Sequence, residues 1–431
     1  MKFLLSTLGC KVNQYETAAL STMLISDGHT PCAPGEQADI VIINTCAVTA
    51  ESGRKSRQTI RRLKEENPGA VIGVSGCYSQ LSPEAVAEIG ADVIFGSGDR
   101  IGFIKAVETA AGGGEGLVSV DKPFERRLFE KLPSGAVAGR TRAMLKIQDG
   151  CVNFCSYCII PYTRGRLRSL PIEDAVLETQ RLASLGYKEI VLTGIEVASY
   201  GVDLEGKPGL ADIICAVSAA APGIRIRLGS LEPTVITEDF CRRLSSCENI
   251  CRHFHLSMQS GCNKTLKAMN RKYDTDFFLS IVNLLRQYFP GCGITTDMIT
   301  GFPGETDEDQ ALSLAFIRKC AFSDMHIFPY SRRPGTPADK MPSQCTNAVK
   351  NARARQAQTV ADIMKKDFLA SSVGSTLPVL FETCEEGLWT GHSDTYLLVS
   401  APGENLRGRI LSVRIDSTDG ERLYGTVTEE S

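Results

Sequence analysis

The stretch "QDGCVNFCSYC", residues 148–158, contains three closely spaced cysteines, Cys151, Cys155 and Cys158. The next cysteine along the chain is Cys215, so the group stops one thiol short of four. Three thiolates on a tight loop can bind three irons of a cubane [4Fe–4S] cluster and leave the fourth iron open to a small molecule. The alternatives are chance or a zinc site, which would favour a second C-x-x-C pair or a nearby histidine. We therefore interpret the three cysteines as ligands of a cluster with one open iron.

These three cysteines, called the barrel triplet below, follow the first of six strand-like runs in the middle of the chain. The runs are residues 142–148, 189–193, 224–229, 253–258, 294–299 and 324–330. A helical pattern follows each of the first five runs, and a long helix from about 346 to 370 comes after the last. This repeat predicts a (β/α)6 barrel that is incomplete, because closure needs eight units. The barrel triplet should lie on its rim, at the carboxyl ends of the strands, where such barrels carry their active sites.

The first hundred residues predict a parallel α/β sheet with a cysteine at three of its strand ends. The runs "KFLLSTLGC", "ADIVIINTC" and "AVIGVSGC" end at Cys10, Cys46 and Cys77, whereas a fourth run, "ADVIFGSG", has no cysteine. Helical segments such as 15–26 and 52–66 separate the runs, which favours a parallel sheet covered on both faces. The three thiols, called the strand-end triplet below, should therefore converge on one edge of the sheet. The alternative is that each is a small buried core residue.

The end of the chain predicts a different architecture. Short β runs there alternate with turn residues, as in a small antiparallel β-barrel of the oligonucleotide-binding type. A Gly-rich and then charged stretch in front of the central series predicts a linker. We therefore divide this α/β chain into an N-terminal domain (1–113), a linker (114–136), a central barrel (137–369) and a C-terminal barrel (370–431).

Composition limits the classes of partner. The 431 residues carry 47 Lys+Arg against 50 Asp+Glu, a formal net charge of −3, so binding to a polyanion would need local basic patches. Sixteen cysteines in a reducing compartment indicate metal binding or catalysis before disulfides. No apolar run of 18 residues occurs and the first residues soon turn polar, so we expect no membrane span, no signal peptide and a cytoplasmic location.

The motifs together resemble a known family. CxxxCxxC after the first strand of a six-unit barrel is the signature of radical S-adenosylmethionine (SAM) enzymes. The resemblance to their methylthiotransferases runs over essentially the whole chain, in this order: "TLGCKVNQYE", "INTCAVTAESGRKSRQTIRR", "GCYSQ", "CSYCIIPYTRGRLRS", "LTGIEVASYG", "HLSMQSG", "TDMITGFPGETDED" and "HIFPYSRRPGTPA". The C-terminal barrel resembles a TRAM domain. "TLGCKVNQYE" and "HLSMQSGCNKTLKAMNRKY" are most similar to the branch that modifies threonylcarbamoyladenosine in tRNA.

This resemblance implies an activity and its cofactors. The open iron at the barrel triplet would chelate SAM, and one electron would cleave it to a 5′-deoxyadenosyl radical. Cys10, Cys46 and Cys77 would bind a second, auxiliary [4Fe–4S] cluster that carries the inserted sulfur. The expected reaction is methylthiolation at C2 of N6-threonylcarbamoyladenosine beside the anticodon, by a monomer that takes electrons from a flavodoxin or ferredoxin. Two alternative substrates are isopentenyladenosine in tRNA and an aspartate of a ribosomal protein. The alternative class of protein is a non-catalytic Fe–S protein that binds RNA.

Candidate cofactor contacts follow the barrel strands. The superfamily usually binds the methionine amino group after the second strand and the adenine after the fifth. The residues that match these strand ends are Thr193, Gly194, Glu196, Ser230, Glu232, Gln259, Ser260 and Gly301. Each is also explained as part of a tight βα turn with an N-cap.

Basic residues indicate where RNA could bind. The helix after Cys46 and the segment after the barrel triplet are both rich in them. They are Arg54, Lys55, Arg57, Arg61, Arg62 and Lys64 on the helix, and Arg164, Arg166 and Arg168 in the segment. Tyr330 and Arg332 should face the barrel mouth and could bind the modified base or its carboxylate. We expect the N-terminal domain and the C-terminal barrel both to border this mouth, although a basic helix face is often only solvated.

Overall fold

The computed structural model describes residues 1–133 and 141–430 of the chain. It confirms a mixed α/β protein with parallel sheets and a closed C-terminal β-barrel. Within the described residues, no helix combines the length and the apolar character that crossing a membrane requires.

The N-terminal domain is a six-stranded, all-parallel sheet in the order β2-β1-β3-β4-β5-β6. Its strands are β1 Lys2–Thr7, β2 Thr30–Pro31, β3 Ile40–Thr45, β4 Val71–Gly76, β5 Val93–Phe95 and β6 Leu117–Ser119. Its helices are α1 Lys11–Ser26, α2 Ala50–Glu66, α3 Cys77–Leu81, α4 Pro83–Ala87 and α5 Arg100–Ala111. Every residue of β3 is buried; Ile40 and Ile42 pack into one apolar cluster, and Val41 and Ile43 into another. A continuous apolar strand is explained by helices on both faces of the sheet.

The segment predicted as a linker is partly built into the N-terminal domain. β6 pairs with β5 at the edge of the sheet. Arg126 donates to Ser97 Oγ at 2.8 Å, and the Tyr15 hydroxyl donates to the Leu132 carbonyl at 2.8 Å. The linker prediction is therefore wrong for this part, because β6 is too short to give a clear periodic signal. The predicted boundary at residues 136 and 137 lies outside the described residues.

The central domain contains the six predicted barrel strands. They are β7 Arg142–Asp149, β9 Glu189–Gly194, β10 Arg225–Leu228, β12 His253–Gln259, β13 Gly293–Thr300 and β14 Asp324–Pro329. Two short strands, β8 Arg168–Ser169 and β11 Ser230–Leu231, were not predicted. The helices are α6 Ile160–Arg164, α7 Ile172–Ser184, α8 Leu210–Ala220, α9 Glu238–Ser245, α10 Asn263–Ala268, α11 Thr275–Tyr288, α12 Asp307–Cys320 and α13 Asn347–Ser371. The strands form two sheets, and an isolated parallel bridge connects Ile226 of β10 to Ile250, which lies just before β12.

The C-terminal barrel closes in the order β15-β16-β17-β19-β18. Its strands are β15 Thr376–Glu385, β16 Leu388–Ser393, β17 Leu398–Pro402, β18 Ile410–Thr418 and β19 Leu423–Glu430. All its pairings are antiparallel except that of β17 with β19.

The C-terminal barrel packs against the amino ends of the central strands, opposite the rim. Arg225, which begins β10, donates to the Pro378 carbonyl at 3.2 Å, and Arg227 donates to the Asp394 carbonyl at 3.0 Å. Arg142, which begins β7, pairs with Glu382 at 2.9 Å. The expectation that this barrel borders the mouth is therefore wrong, since these contacts lie at the opposite end of the central strands. The physical reason is that the arginines at the strand starts need buried acceptors, which the C-terminal barrel provides.

Candidate iron–sulfur and cofactor site

The barrel triplet lies on the loop after β7, on the rim of the central barrel. The Cys151 amide donates to the Gly165 carbonyl at 3.0 Å, and the Cys158 amide donates to the Cys155 carbonyl at 2.9 Å, which holds the loop in a compact turn. Burial raises the pKa of Cys151 and that of Cys158 to about 12. Both thiols are thus protonated near neutral pH when no metal is bound, and a cluster must displace these protons to gain thiolate ligands.

A buried arginine, Arg271, joins the barrel triplet to a carboxylate. Its Nη1 lies 3.3 Å from Cys155 Sγ, and its Nη2 donates to Glu232 Oε2 at 2.5 Å and to the Ser257 carbonyl at 2.9 Å. Burial raises the pKa of Glu232, although Arg271 opposes the shift. A guanidinium donor beside a thiolate offsets the negative charge that cluster ligands bring, so these residues fit an iron–sulfur cluster.

Glu196, predicted as a cofactor contact, lies beside the same loop. Gln148 bridges the two segments: its Oε1 accepts from the Glu196 amide at 2.8 Å, and its Nε2 donates to the Gly150 carbonyl at 2.7 Å. Burial raises the pKa of Glu196, whose charge in turn raises the pKa values of Cys151 and Glu232. The structure thus brings two carboxylates together next to the barrel triplet, where they could bind a cationic group.

The other predicted cofactor residues are placed less uniformly. Thr193 and Gly194 end β9, in register with β7. Gln259 and Gly301 turn at the ends of β12 and β13 with φ of 67° and 69°. Ser230 is exposed, and no hydrogen bond of its side chain occurs among the described residues. A cofactor contact of Ser230 therefore stays a prediction, and the other four residues lie at strand ends, as the sequence predicts.

The loop after β13 is fixed by the long helix α13. The Gly301 amide donates to Glu305 Oε1 at 2.9 Å, and the same oxygen accepts from Arg353 at 2.9 Å. Burial raises the pKa of Glu305 despite this pair. The "GFPGE" loop is consequently held rigidly at the rim, as a backbone contact with a ligand would require.

The strand-end triplet is assembled from three adjacent strands, β1, β3 and β4. Gly9, with φ of 108°, precedes Cys10, and a Cβ there would lie 2.9 Å from Cys46 Sγ. Gly76, with φ of 112°, precedes Cys77, and a Cβ there would lie 2.5 Å from a backbone oxygen of the neighbouring strand. Glycine alone tolerates this conformation and this crowding. The two glycines therefore let Cys10 and Cys77 approach Cys46 at one edge of the sheet.

Arg164, predicted to contact RNA, is buried between the N-terminal domain and the central barrel. Its Nε lies 3.4 Å from Cys77 Sγ, and its Nη2 donates to Asn13 Oδ1 at 2.8 Å. The same Asn13 oxygen lies 3.8 Å from Cys10 Sγ. The Nη1 of Arg164 donates to Glu16. The prediction that Arg164 contacts RNA is therefore wrong, because its guanidinium is buried and donates to partners inside the protein.

Glu16 is the centre of this buried network. Burial alone would raise its pKa, but Arg100, Arg164 and Lys146 lower it to about 2. Arg168 is also buried and donates to the Arg164 carbonyl at 3.0 Å, so its predicted RNA contact is wrong as well. A single carboxylate on α1 thus holds together charges from the N-terminal domain and from the central barrel.

The basic residues of α2 remain at the surface. Lys55 and Arg61 are exposed and have no ion pair among the described residues. The others have local partners: Arg54 pairs with Glu51, Arg57 with the Tyr78 hydroxyl, Arg62 with Glu66, and Lys64 with the Gly90 carbonyl. The ion pairs of Arg54 and Arg62 are exposed and therefore weak, so these two side chains can exchange partners for phosphate, whereas the hydrogen bond from Arg57 to Tyr78 is partly buried. Arg166 is likewise exposed.

The segment after β14 differs from its prediction. Tyr330 is buried, and its hydroxyl has no partner among the described residues. Arg332 is half exposed and pairs with Asp339 at 2.9 Å. Its neighbour Arg333 instead lies towards the N-terminal domain, with Nη1 3.9 Å from the position of a Cβ on Gly53. Burial lowers the pKa of Arg333.

Sequence reasoning did not single out Arg271, Gln148, Asn13 or Glu16. A signal existed for two of them, since Asn13 and Glu16 follow Cys10 at spacings that put all three on one side of a helix start. Arg271 lies within the quoted "MNRKY" segment, but nothing local distinguishes it from the neighbouring Lys272. The fold decides between them by burying only the arginine.

Comparison with known proteins identifies the family. The "Radical SAM superfamily" model matches residues 145–317, and the "Uncharacterized protein family UPF0004" model matches residues 2–96. The threonylcarbamoyladenosine tRNA methylthiotransferase MtaB of Bacillus subtilis is 39% identical over 417 residues, which cover 95% of this chain and 92% of that protein. The chain belongs to the radical SAM tRNA methylthiotransferases.

Other relatives of this methylthiotransferase carry a different substrate in their names. The tRNA-2-methylthio-N(6)-dimethylallyladenosine synthase of Carboxydothermus hydrogenoformans is 34% identical over 429 residues, which cover 97% of each chain. Among solved structures, the radical SAM methyltransferase TsrM of Kitasatospora setae has a TM-score of 0.59 at 15% identity and covers 89% of this chain and 79% of its own. At this identity the likeness shows the fold alone.

Enzymes of this family use [4Fe–4S] clusters and SAM, and a structure of TsrM contains a [4Fe–4S] cluster. The residues of this methylthiotransferase fit such groups. Each triplet offers three thiols, and each has an arginine nitrogen within hydrogen-bond distance of one sulfur. This donor set matches a cluster with one iron left for another ligand.

Proposed function

We propose that this tRNA methylthiotransferase inserts a methylthio group at C2 of N6-threonylcarbamoyladenosine, next to the anticodon. In this proposal the barrel triplet binds the SAM-cleaving cluster and the strand-end triplet binds the auxiliary cluster. The observation that carries it is Arg164, which follows the barrel triplet by a few residues and yet donates to Cys77 of the strand-end triplet. This contact connects the segment after the barrel triplet to the strand-end triplet across two domains, which supports two clusters that act together.

The chain's own residues have distinct tasks in this reaction. When bound at the barrel triplet, a reduced cluster with SAM supplies a 5′-deoxyadenosyl radical. Glu196 and Glu232 provide the negative charge that attracts the methionine ammonium group, and Arg271 orients Glu232. Gln148 fixes the Glu196 backbone relative to the cysteine loop. Such supporting contacts keep reacting atoms at a defined distance, which is the main contribution of a protein to a radical transfer.

Arg333 is a better candidate than Arg332 for contact with the substrate. Arg332 has Asp339 as its partner, whereas the Arg333 Nε has no hydrogen-bond partner among the described residues. Arg333 lies between the central barrel and α2, near the strand-end triplet. A threonylcarbamoyl group carries a carboxylate, which a guanidinium binds in a bidentate manner. The dimethylallyl group of the rival substrate offers no such charge.

The RNA would be bound by the remaining surface residues. We assign phosphate contacts to the α2 side chains, to Arg166 and to the C-terminal barrel, which we interpret as a TRAM domain. The proposal further includes a flavodoxin or ferredoxin as electron donor, a monomeric enzyme and a cytoplasmic location.

Analysis of modified nucleosides tests the substrate. A host lacking its own enzyme would be complemented with this gene, and its tRNA digested for mass spectrometry. We expect 2-methylthio-N6-threonylcarbamoyladenosine to appear. The 2-methylthio derivative of isopentenyladenosine would instead assign the rival tRNA substrate, and a modified ribosomal aspartate would move the activity to protein.

A second assay separates catalysis from binding. The purified, reconstituted protein with a reductant should release 5′-deoxyadenosine from SAM. The non-catalytic alternative, an Fe–S protein that only binds RNA, predicts tRNA binding without this product. A Glu232→Gln variant in the same assay removes the negative charge beside Arg271. It should raise the KM for SAM and leave the iron content unchanged.

A further inference from the structure

Four of the chain's five histidines line one cavity. They are His253, His255, His326 and His392. The cavity, of about 580 Å³, lies between strands β12 to β14 of the central barrel and the C-terminal barrel. Histidine is rare in this chain, so its concentration in one place calls for a chemical explanation. None of the residues assigned above to the cysteine triplets or to SAM lines this cavity.

Three side chains from three neighbouring strands converge at this place. One ligand atom each of His255 on β12, Asp297 on β13 and His326 on β14 lie within 4.8 Å of one another. His255 Nε2 is 3.2 Å from Asp297 Oδ2, and the rings of His255 and His326 are 5.9 Å apart. The His326 side chain makes no hydrogen bond among the described residues, and it is exposed to the solvent.

We propose that His255, Asp297 and His326 form a binding site for a divalent transition metal ion, with Zn²⁺ as the reference ion. Two imidazoles and one carboxylate are a donor set suited to Zn²⁺ and similar ions, whereas Mg²⁺ and Ca²⁺ favour oxygen ligands alone. A tetrahedral site with metal–ligand distances near 2.1 Å separates its ligand atoms by about 3.4 Å. The 3.2 Å between His255 Nε2 and Asp297 Oδ2 already fits this, so only the His326 ring has to rotate closer. Three protein ligands leave a position open for water or a substrate oxygen.

The surroundings of His255 favour this role. Its Nδ1 lies 2.9 Å from Thr295 Oγ1, so Nδ1 has a partner of its own and Nε2 faces Asp297. A ligating histidine is usually held in this way by a hydrogen bond from its other nitrogen. The competing explanation is a chain of plain hydrogen bonds from His253 through Thr295 and His255 to Asp297. That chain leaves His326 without a role, which the metal site provides.

The site is chemically separate from the cysteine triplets. It offers nitrogen and oxygen ligands, whereas iron–sulfur clusters take thiolates. His255 precedes the end of β12 at Gln259 by four residues, so it lies about 13 Å below the rim along the strand. An ion bound there should therefore be independent of the iron load.

Metal analysis of the reconstituted full-length enzyme tests the proposal. The protein would be equilibrated with Zn²⁺, freed of excess metal and analysed for zinc and iron. The variants are His255→Gln and His326→Gln, and the control is His29→Gln, which removes a histidine of the N-terminal domain that pairs with Glu108. We expect about one zinc per chain in the wild type and the control, its loss in both variants, and equal iron in all four.

X-ray absorption at the zinc edge supplies the second readout. Nitrogen and oxygen ligands are expected, and sulfur ligands would place the zinc at cysteines and overturn the proposal. Equal zinc in all four proteins, or no zinc in the wild type, would overturn it too. If His255→Gln fails to fold, the His326→Gln variant still decides, because the exposed His326 side chain has no hydrogen bond among the described residues whose loss could unfold the chain.

Discussion

The barrel triplet lies on one short loop, from Cys151 to Cys158, whereas the strand-end triplet is drawn from the ends of three strands between Cys10 and Cys77. The first depends on the geometry of a single turn. The second exists only when β1, β3 and β4 pair in register and two glycines adopt left-handed conformations. Two sites with the same ligands thus have different requirements: a local site can form early and independently, and an assembled site depends on a folded sheet.

The largest effect should come from removing the barrel triplet. Replacing Cys151, Cys155 and Cys158 with alanine should remove about half of the iron and abolish SAM cleavage, since one of two four-iron clusters is lost. Iron analysis and chromatography of 5′-deoxyadenosine measure this. The control is Cys32, Cys345 and Cys384 replaced by alanine, three thiols outside both triplets. Full iron in the barrel-triplet variant would refute the ligand assignment.

Removing the strand-end triplet should separate the two sites. Replacing Cys10, Cys46 and Cys77 with alanine should also remove about half of the iron, but SAM cleavage should persist while methylthiolated tRNA disappears. The reason is that these residues belong to a different domain from the barrel triplet. Detection of the methylthiolated product from this variant would overturn the assignment. A circular dichroism spectrum and thermal unfolding show whether the variant has kept its fold.

Arg164 lies beside a sulfur of the strand-end triplet and Arg271 beside a sulfur of the barrel triplet, so their replacement should change the reduction potentials of the two clusters separately. Arg164→Gln leaves Glu16 with fewer buried partners, so we expect a loss of about 3–5 kcal/mol in the free energy of unfolding. The same change should lower the reduction potential of the cluster at the strand-end triplet only, because a positive charge near its sulfur is lost. Arg271→Gln should lower the other potential. Redox titrations followed by EPR test this, and a shift of both potentials in either variant would contradict it.

The acid sensitivity of the assembled site follows from Glu16. Burial would raise its pKa, but Arg100, Arg164 and Lys146 lower it to about 2, against about 4.3 in an unfolded chain. A lowered pKa stabilises the fold fully above pH 4.3, and this contribution of about 3 kcal/mol is lost as the pH falls towards 2. Urea unfolding of the metal-free protein between pH 5 and 3 should show this slope, and Glu16→Gln should flatten it. An equal slope in both proteins would assign the acid sensitivity elsewhere.

The smallest effect concerns the proposed RNA contacts of α2, the helix that follows Cys46 of the strand-end triplet. Replacing Arg57, Arg61 and Arg62 of α2 with glutamine should flatten the salt dependence of tRNA binding by up to about three units, near one per lost phosphate contact. The matched control replaces Arg242, Arg318 and Lys319, which are exposed on the outer helices α9 and α12. Filter binding at several salt concentrations measures the slope. A slope equal to that of the control would mean that α2 presents only a solvated face.

Local patterns explain which features the sequence could predict. The six barrel strands, the cysteine positions at strand ends and the C-terminal barrel follow from hydrophobic runs and turn residues within short windows. The burial of Arg164 and Arg168 could not be predicted in this way, because it depends on the docking of two domains. Their sequence neighbour Arg166 looks the same in composition and is exposed. The position of the C-terminal barrel also follows from distant partners such as Arg225 and Pro378.

The Glu16 network has a consequence for synthesis of the chain on the ribosome. Glu16 emerges early and can pair with Arg100 once the N-terminal domain has formed, but Lys146 and Arg164 emerge much later. The docked arrangement therefore becomes complete only after the first barrel strand and the barrel triplet have been translated. An N-terminal domain produced alone would carry a buried carboxylate with part of its partners missing. Exchange of this domain between related enzymes should consequently succeed only when Asn13, Glu16 and Arg164 are exchanged as a set.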